Sequence, residues 1–300
     1  MKMRQLIYKT IYHPTVNYLL RNLNRWLSPV LPSTIKLPPA GTINLTNPAG
    51  RSLKIKTNQT NYLTQLIYWE GYENFEYTSI FLKLIQSVEG FYDVGANIGY
   101  YSLLAAMENP SIRVTSFEPA KGPLKFLQKN VAINGFKQIT VEPIALSQKE
   151  GKIKFYEVKS RKYPYLKYNL AGTGSEEALN KGESFEINEV LSTTMDKYFE
   201  ENPGPLQLVK MDTEGTEHMI LAASEKILAE VKPIFICETL FHTNEVELED
   251  IFRKHGYEFY NHHPTGLQKT TSIKRTIDDG VRNCFFVHPS KFHMIKEFVV

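Results

Sequence analysis

The sequence predicts an α/β fold: an open, mostly parallel sheet with helices on both faces, preceded by a basic N-terminal extension. Three observations predict it. Between residues 91 and 145, short apolar runs alternate with segments of helical period, in the order strand, helix, strand, helix, strand. The first of these strands passes directly into a glycine turn, Gly95-Ala96-Asn97-Ile98-Gly99. Four apolar runs end in an acid, at Asp93, Glu118, Asp212 and Glu238.

Composition bounds the alternatives. The chain has 300 residues, 42% hydrophobic and 22% charged, which excludes a wholly disordered polymer. No apolar run approaches the ~18 residues that a membrane-spanning helix needs. The two cysteines, Cys237 and Cys284, supply neither a disulfide scaffold nor a four-cysteine zinc site and read as buried, reduced residues. The net charge of +3 conceals an asymmetry: the first acid is Glu70, and nine Lys and Arg residues precede it.

Residues 1–57 read as that basic extension. Pro14 suits a first helical turn. Val16, Leu19, Leu20, Leu23, Trp26 and Leu27 then recur at helical spacing, until Pro29 and Pro32 stop the pattern. Such a stripe is expected to bury itself against protein, with contact to an anionic membrane surface, through residues 1–30, as the other expectation. Residues 29–50 read as a linker. Thr42–Leu45 and Leu53–Thr57 alternate weakly around Asn47-Pro48-Ala49-Gly50, as a small hairpin would. Residues 58–300 read as one catalytic domain, with helix expected within Tyr62–Ile85 and a polar inserted loop at about 159–182. That loop includes Tyr163, Tyr165, Tyr168 and the run Gly172-Thr173-Gly174-Ser175.

Within the central unit, Phe91–Val94, Ile112–Phe117 and Ile139–Ala145 are the expected strands, and Tyr100–Met107 and Leu124–Asn134 the helices. Glycine lets the chain bend sharply from strand to helix and lets a ligand approach the backbone. The spacing differs from the Gly-x-Gly-x-x-Gly of a dinucleotide loop, and no Walker lysine follows, which disfavours an NAD-dependent oxidoreductase. Asp93 beside the turn suits a ligand with a cationic end. Glu118, at the next strand tip, is placed to accept hydrogen bonds from a ribose diol. Together they point to a cationic nucleoside, S-adenosylmethionine. In an open α/β sheet, ligands bind outside the carboxyl ends of the strands, where Asp212 and Glu238 also fall.

The stretches DVGANIGYYSLLAA (93–106), FEP (117–119), ALS (145–147) and KMDTEGTEHMIL (210–221) resemble the FkbM family of S-adenosylmethionine-dependent methyltransferases, as does the lead-in YWEGYENFEYTSIFLKLI (68–85). The likeness covers roughly residues 60–290. It implies a class I methyltransferase-like (Rossmann-like) sheet of seven mostly parallel strands, the last antiparallel. It implies methyl transfer to a hydroxyl of a sugar, glycan or natural product. It implies that Asp93, Gly95, Asn97 and Gly99 line the methionine part of the cofactor, that Glu118 takes the ribose, and that adenine lies near Ala145, Leu146 and Ser147. Asp212 and Glu214 would then face the transferring methyl and the acceptor.

An alcohol needs a base to accept its proton, and Asp212, Glu214, Glu238, His218 and His242 are the candidates. Glu217 can instead cap the helix that follows. Asp212 and Glu238 together could hold Mg²⁺, although no third ligand is recognisable. Two readings from other classes stand beside this one: a nucleic-acid methyltransferase that grips phosphates with the basic front end, and a nucleoside-binding module without chemistry. Residues 1–10 lack a secretory pattern, so a cytoplasmic protein, peripheral at most to a membrane, is expected.

Overall fold

A computed structural model describes residues 2–32, 34–170 and 184–300. Two helices open the chain, α1 (Lys2–Ile11) and α2 (Pro14–Leu27), followed by a hairpin of β1 (Gly41–Thr46) and β2 (Ser52–Thr57). Helices α3 (Tyr62–Glu70) and α4 (Thr78–Leu84) lead into β3 (Gly90–Val94), α5 (Tyr100–Glu108), β4 (Arg113–Phe117), α6 (Lys121–Asn134) and β5 (Ile139–Glu142). Next come β6 (Ala145–Leu146), β7 (Gly151–Lys159), β8 (Ser184–Thr193), α7 (Met195–Glu201), β9 (Leu208–Met211), α8 (Glu217–Leu221) and β10 (Ile234–Glu238). The chain closes with α9 (Glu245–Lys254), β11 (Glu258–His263), β12 (Gly266–Thr270) and β13 (Asn283–Val287).

The main sheet has the order β12-β11-β13-β10-β9-β3-β4-β5. The five strands from β10 to β5 run parallel, while β13 lies antiparallel between β10 and β11. The sheet therefore has eight strands, not the seven expected. The eighth, β12, arises because the chain turns back after His263 and pairs with β11 before crossing to β13. In β3, β9 and β13 every residue is buried, as strands covered on both faces require. Cys237 and Cys284 stand opposite each other on β10 and β13, buried and unbridged.

Chain direction across the sheet reverses at β3: β4 and β5 build outward on one side, β9 and β10 on the other. The crevice outside the carboxyl ends of β3 and β9 is thus a topological switch point, where open α/β sheets bind ligands. A smaller sheet, β6-β8-β7, stands apart from the main one. Its β7–β8 pair joins the segments on either side of the polar loop. The expected third strand is split, with Ile139–Glu142 in the main sheet and Ala145–Leu146 in the small one. The Gly172–Ser175 run of the polar loop lies outside the described residues.

The β1–β2 hairpin forms as expected around Asn47–Gly50. Its inward residues Ile43, Leu45, Leu53 and Ile55 share one hydrophobic core with Phe91 and Leu103. Asn130 of α6 fastens it, accepting from Lys56 N at 2.7 Å and donating to Lys56 O and Ile98 O.

Helix α2 reverses the expectation for its apolar stripe. Asn17 and Arg21 are its buried residues, at 0% and 2% exposure, whereas Leu19 and Trp26 are 63% and 76% exposed. The extended segment leading into β1 presents backbone groups to α2, and the polar face of the helix satisfies them. Asn17 donates to Pro38 O and accepts from Ala40 N, and Arg21 donates to Ala40 O and Thr42 O.

Candidate active site

The glycine turn sits at the switch point. Gly95 has φ +73°, and a Cβ there would lie 2.0 Å from the carbonyl oxygen of Asp212. Only glycine lets the β3 turn and the end of β9 approach so closely. Gly95 and Ala96 donate to Phe117 O, and Asn97 N donates to Glu118 Oε2 at 2.8 Å. The turn is therefore held by the tip of β4.

Two cavities flank it. The larger, about 350 Å³, is lined by Asn61, Glu76, Tyr101, Leu170 and the acids Asp212, Glu214 and Glu238, with Lys210 at its base. The smaller, about 90 Å³, is lined by Glu118, Pro119, Ala120 and Phe155. Gly95, Asn97, Asp212 and Glu214 line both, so the cavities meet across the glycine turn.

The register of β3 on β9 sets Asp93 beside Lys210. Lys210 Nζ lies 3.5 Å from Asp93 Oδ1 and 3.4 Å from Asp212 Oδ2, and donates to Gly95 O at 3.1 Å. Burial opposes the Lys210 charge, but Asp212, Asp93 and Glu76 outweigh it and hold the ammonium above the usual lysine range. Asp93 also accepts from Ser102 N and Ser102 Oγ, the latter at 2.6 Å. Its carboxylate lines neither cavity. It lies beneath the turn, bound to Lys210 and α5, because its position on β3 turns it toward Ser102.

The other expected residues divide. Gly95 and Asn97 line both cavities, Glu118 lines the smaller, and Asp212, Glu214 and Glu238 line the larger. Gly99 faces inward instead: it has φ +90° and a Cβ there would lie 2.4 Å from Leu127. Ala145, Leu146 and Ser147 line neither cavity. Ala145 and Leu146 pair with β8, and Ser147 N donates to Thr193 O. His242 is exposed, packs on Phe241, and donates its backbone N–H to Glu245. It too lines neither cavity, and neither does His218, on α8. Glu217 is buried and folds back on its own turn. It accepts from Thr213 N, Thr213 Oγ1 and Gly215 N, and from Asn244 Nδ2, just before α9. It thereby holds Glu214 in its φ +59° conformation.

Glu76 was not anticipated. It stands at φ +43° between Phe75 and the buried Tyr77, and accepts from Tyr101 OH at 3.4 Å. Glu76 is exposed to solvent as a residue, which screens part of what the surrounding protein does to its carboxyl. Burial, and then the Asp212 charge, push its carboxyl up to about 7. The one available signal was a lone acid between two aromatics at the start of an apolar helix. Burial, then Asp212 and Glu214, hold Glu238 well above the usual carboxylate range. Burial likewise pushes Glu118 up to about 8, against the backbone hydrogen bonds from Ala120 and Asn97. The larger cavity thus collects negative groups that a cation would hold ionised. Among the described residues no three His, Cys, Asp or Glu side chains converge as a metal site would need, so the Mg²⁺ expectation finds no ligand set.

A family model described as the methyltransferase FkbM domain matches residues 93–259, more than half of the chain. The chain belongs to the FkbM methyltransferase family. The match is narrower than the 60–290 expected, and the lead-in at 68–85 lies outside it. No curated protein matches the chain. Among solved structures, the FkbM methyltransferase of Methylobacillus flagellatus KT is 17% identical over 67% of this chain and 44% of that one, with a TM-score of 0.44. The chain therefore spans less than half the length of that structure. An S-adenosylmethionine-dependent O-methyltransferase of Thermotoga maritima is 11% identical over 83% of this chain and 78% of that one, with a TM-score of 0.39. A methyltransferase of Agrobacterium tumefaciens with the same dependence is 10% identical over 83% and 70%, with a TM-score of 0.41. The sheet order and family membership together make this a class I methyltransferase-like α/β fold with one added edge strand.

Proposed function

We propose that this FkbM-family chain transfers a methyl group from S-adenosylmethionine to a hydroxyl of a sugar, glycan or natural product. The observation that carries the reading is the pair of cavities meeting at the Gly95 turn, one walled by Glu118 and the other by Glu76, Asp212, Glu214 and Glu238. The residues suit that cofactor: acids for its cationic part, an acceptor for a ribose diol, and a glycine turn without a side chain at Gly95 between them. Glu118 would take the ribose, the cavity walls at Gly95 and Asn97 the methionine part, and Phe155 offers a flat apolar neighbour on the nucleoside side. When bound, the cofactor supplies a methyl already activated on sulfur.

The protein's task is then alignment and proton removal. The walls of the larger cavity hold the acceptor, and orientation of this kind is worth up to ~7–11 kcal/mol. Glu76, held near neutrality, accepts the hydroxyl proton, with Glu238 and Asp212 as the other carboxylates in reach of the same space. Such a base contributes about 10²–10⁴-fold. Lys210 fixes Asp212 and the turn from below.

The test is ligand titration followed by transfer. S-Adenosylhomocysteine should raise the melting temperature and NAD should not, and Glu118→Gln should weaken the shift. Absence of any shift at millimolar S-adenosylhomocysteine rejects the cofactor assignment. Labelled methyl groups from S-adenosylmethionine should then appear on oxygen across a panel of sugar and polyol acceptors. Their appearance on nitrogen rejects the hydroxyl assignment while leaving the cofactor standing.

A further inference from the structure

The first two helices dock on the body of the protein by their polar or aromatic sides and turn their apolar sides outward. In α2, Asn17, Arg21 and Asn24 face inward, and Asn24 accepts from Leu37 N at 2.9 Å and donates to Ile35 O. Arg21 is also sandwiched near the rings of Tyr18 and Tyr68. These bonds fix the rotation of the helix. Leu19, Leu23 and Trp26, on the opposite side, are exposed, and Val30 just beyond the helix is 79% exposed. Helix α1 is anchored by Tyr8 and Tyr12, whose rings pack edge-on against Tyr163 at 5.3 and 5.5 Å. Helical spacing places Met3, Leu6 and Ile7 away from those tyrosines, and all three are exposed.

Large apolar side chains exposed along one face of each of two successive helices mark an interaction surface. The charge of this part of the chain selects the partner. Lys2, Arg4, Lys9 and Arg25 accompany the two helices in sequence, Lys36 pairs with Glu70, and residues 1–69 contain no acid. A second copy docking face to face would set these bases against their own equivalents. A surface of anionic lipid headgroups complements them. Neither described helix is long and apolar enough to cross a membrane, so the helices would lie in the interface, apolar side down and Trp26 at headgroup depth.

We propose that α1 and α2 form a docking surface for an anionic lipid bilayer, which holds the protein at the membrane by an interfacial rather than a spanning contact. The inference is independent of the methyl-transfer reading.

The experiment is co-sedimentation of the full chain with vesicles of phosphatidylcholine alone and with phosphatidylglycerol added. Each base near an anionic surface contributes roughly fivefold, so partition should rise at least about tenfold on the anionic vesicles and fall with added salt. Leu19→Ser, Leu23→Ser and Trp26→Ser combined should reduce partition at least about tenfold while leaving circular dichroism and the cooperative melt unchanged, since these side chains are exposed. Lys9→Gln with Arg25→Gln should abolish the preference for anionic vesicles by a separate route. Equal partition on both vesicle types overturns the proposal, as does undiminished binding of the serine variant. A dimer in light scattering that the serine variant loses, with no vesicle binding by the parent, assigns the surface to a second copy and overturns it too.

Discussion

Lys210→Met tests the electrostatic support under the glycine turn. Methionine keeps the length of the side chain and removes its charge. Lys210 is buried, and so is Asp93, 3.5 Å away. Removing one partner of a buried pair typically costs about 3–5 kcal/mol, because the other is left buried and unbalanced. Asp93 retains two donors in Ser102 N and Ser102 Oγ, which places the cost toward the low end of that range. The contact with Asp212 adds little, since the Asp212 side chain is 46% exposed and its charge is screened. Gly95 O loses a charged donor at 3.1 Å, worth about 1.5–3 kcal/mol when buried. These losses overlap, and a net destabilisation of about 3–4 kcal/mol follows.

Urea unfolding of the parent, Lys210→Met, Asp93→Asn and the double variant measures it. The double variant should be more stable than the sum of the single losses by about 1–3 kcal/mol, because the second substitution removes the unbalanced charge. The pH window follows from the raised Lys210 value. A raised cation stabilises fully below its unfolded value and loses that contribution only as pH rises through the folded one. The difference between parent and Lys210→Met should therefore stay constant from neutral to mildly alkaline pH. A loss under about 1 kcal/mol, or additive single losses, would refute the account of the turn.

Three further outcomes are expected. Because Glu76 is raised to about 7, its ionisation destabilises the folded state as pH rises from the ordinary carboxylate range through that value. Glu76→Gln should gain about 1 kcal/mol over the parent above neutrality, after screening by cavity solvent, and nothing in mild acid, as read from urea midpoints. The same variant should lose about 10²–10⁴-fold in turnover and the acid limb of the rate profile. Gly95→Ala should lose about 2–5 kcal/mol from its positive φ and its overlap with Asp212 O, together with the S-adenosylhomocysteine shift. Gly135→Ala, at φ +67° in open space, controls for conformation alone. Glu217→Ala should cost about 2–4 kcal/mol by orphaning Thr213 N, Gly215 N and Asn244 Nδ2, measured by chemical denaturation.

The centre of the fold was legible because its strands are covered on both faces. Phe91–Val94 and Leu206–Met211 are mainly apolar, interrupted by Asp93, Gln207 and Lys210, and each ends where its strand ends. The edge was not legible. In β12, only Leu267 of Gly266–Thr270 is buried, so no apolar pattern marks it, and its existence depends on a turn after His263. Acids at strand tips led to Asp212 and Glu238, and the family resemblance to Glu214, and all three do line the larger cavity. The tip rule locates a residue but not the direction of its side chain. Asp93 is one step before the end of β3 and turns under the sheet to Ser102 and Lys210, while His242 is turned outward at φ +57°. Glu76 escaped because it comes from the turn before α4 and not from the sheet that organises the motifs.

Helix α2 separates two things that helical periodicity joins. Spacing states which residues share a face, and the six apolar positions from Val16 to Leu27 do share one. Which face turns inward depends on what the body of the protein offers. Here it offers backbone groups of Pro38, Ala40 and Thr42, which an apolar face would leave unpaired at ~1–3 kcal/mol each. Asn17 and Arg21 meet them, so the polar face is the complementary one. The apolar face then retains the free energy that burial would release, about 1.5–3 kcal/mol per large side chain. Leu19, Leu23 and Trp26 carry that driving force outward, beside a run of bases without acids. The sequence asymmetry at the front of the chain and the inverted helix thus fall in the same segment, and the proposed lipid contact draws on both.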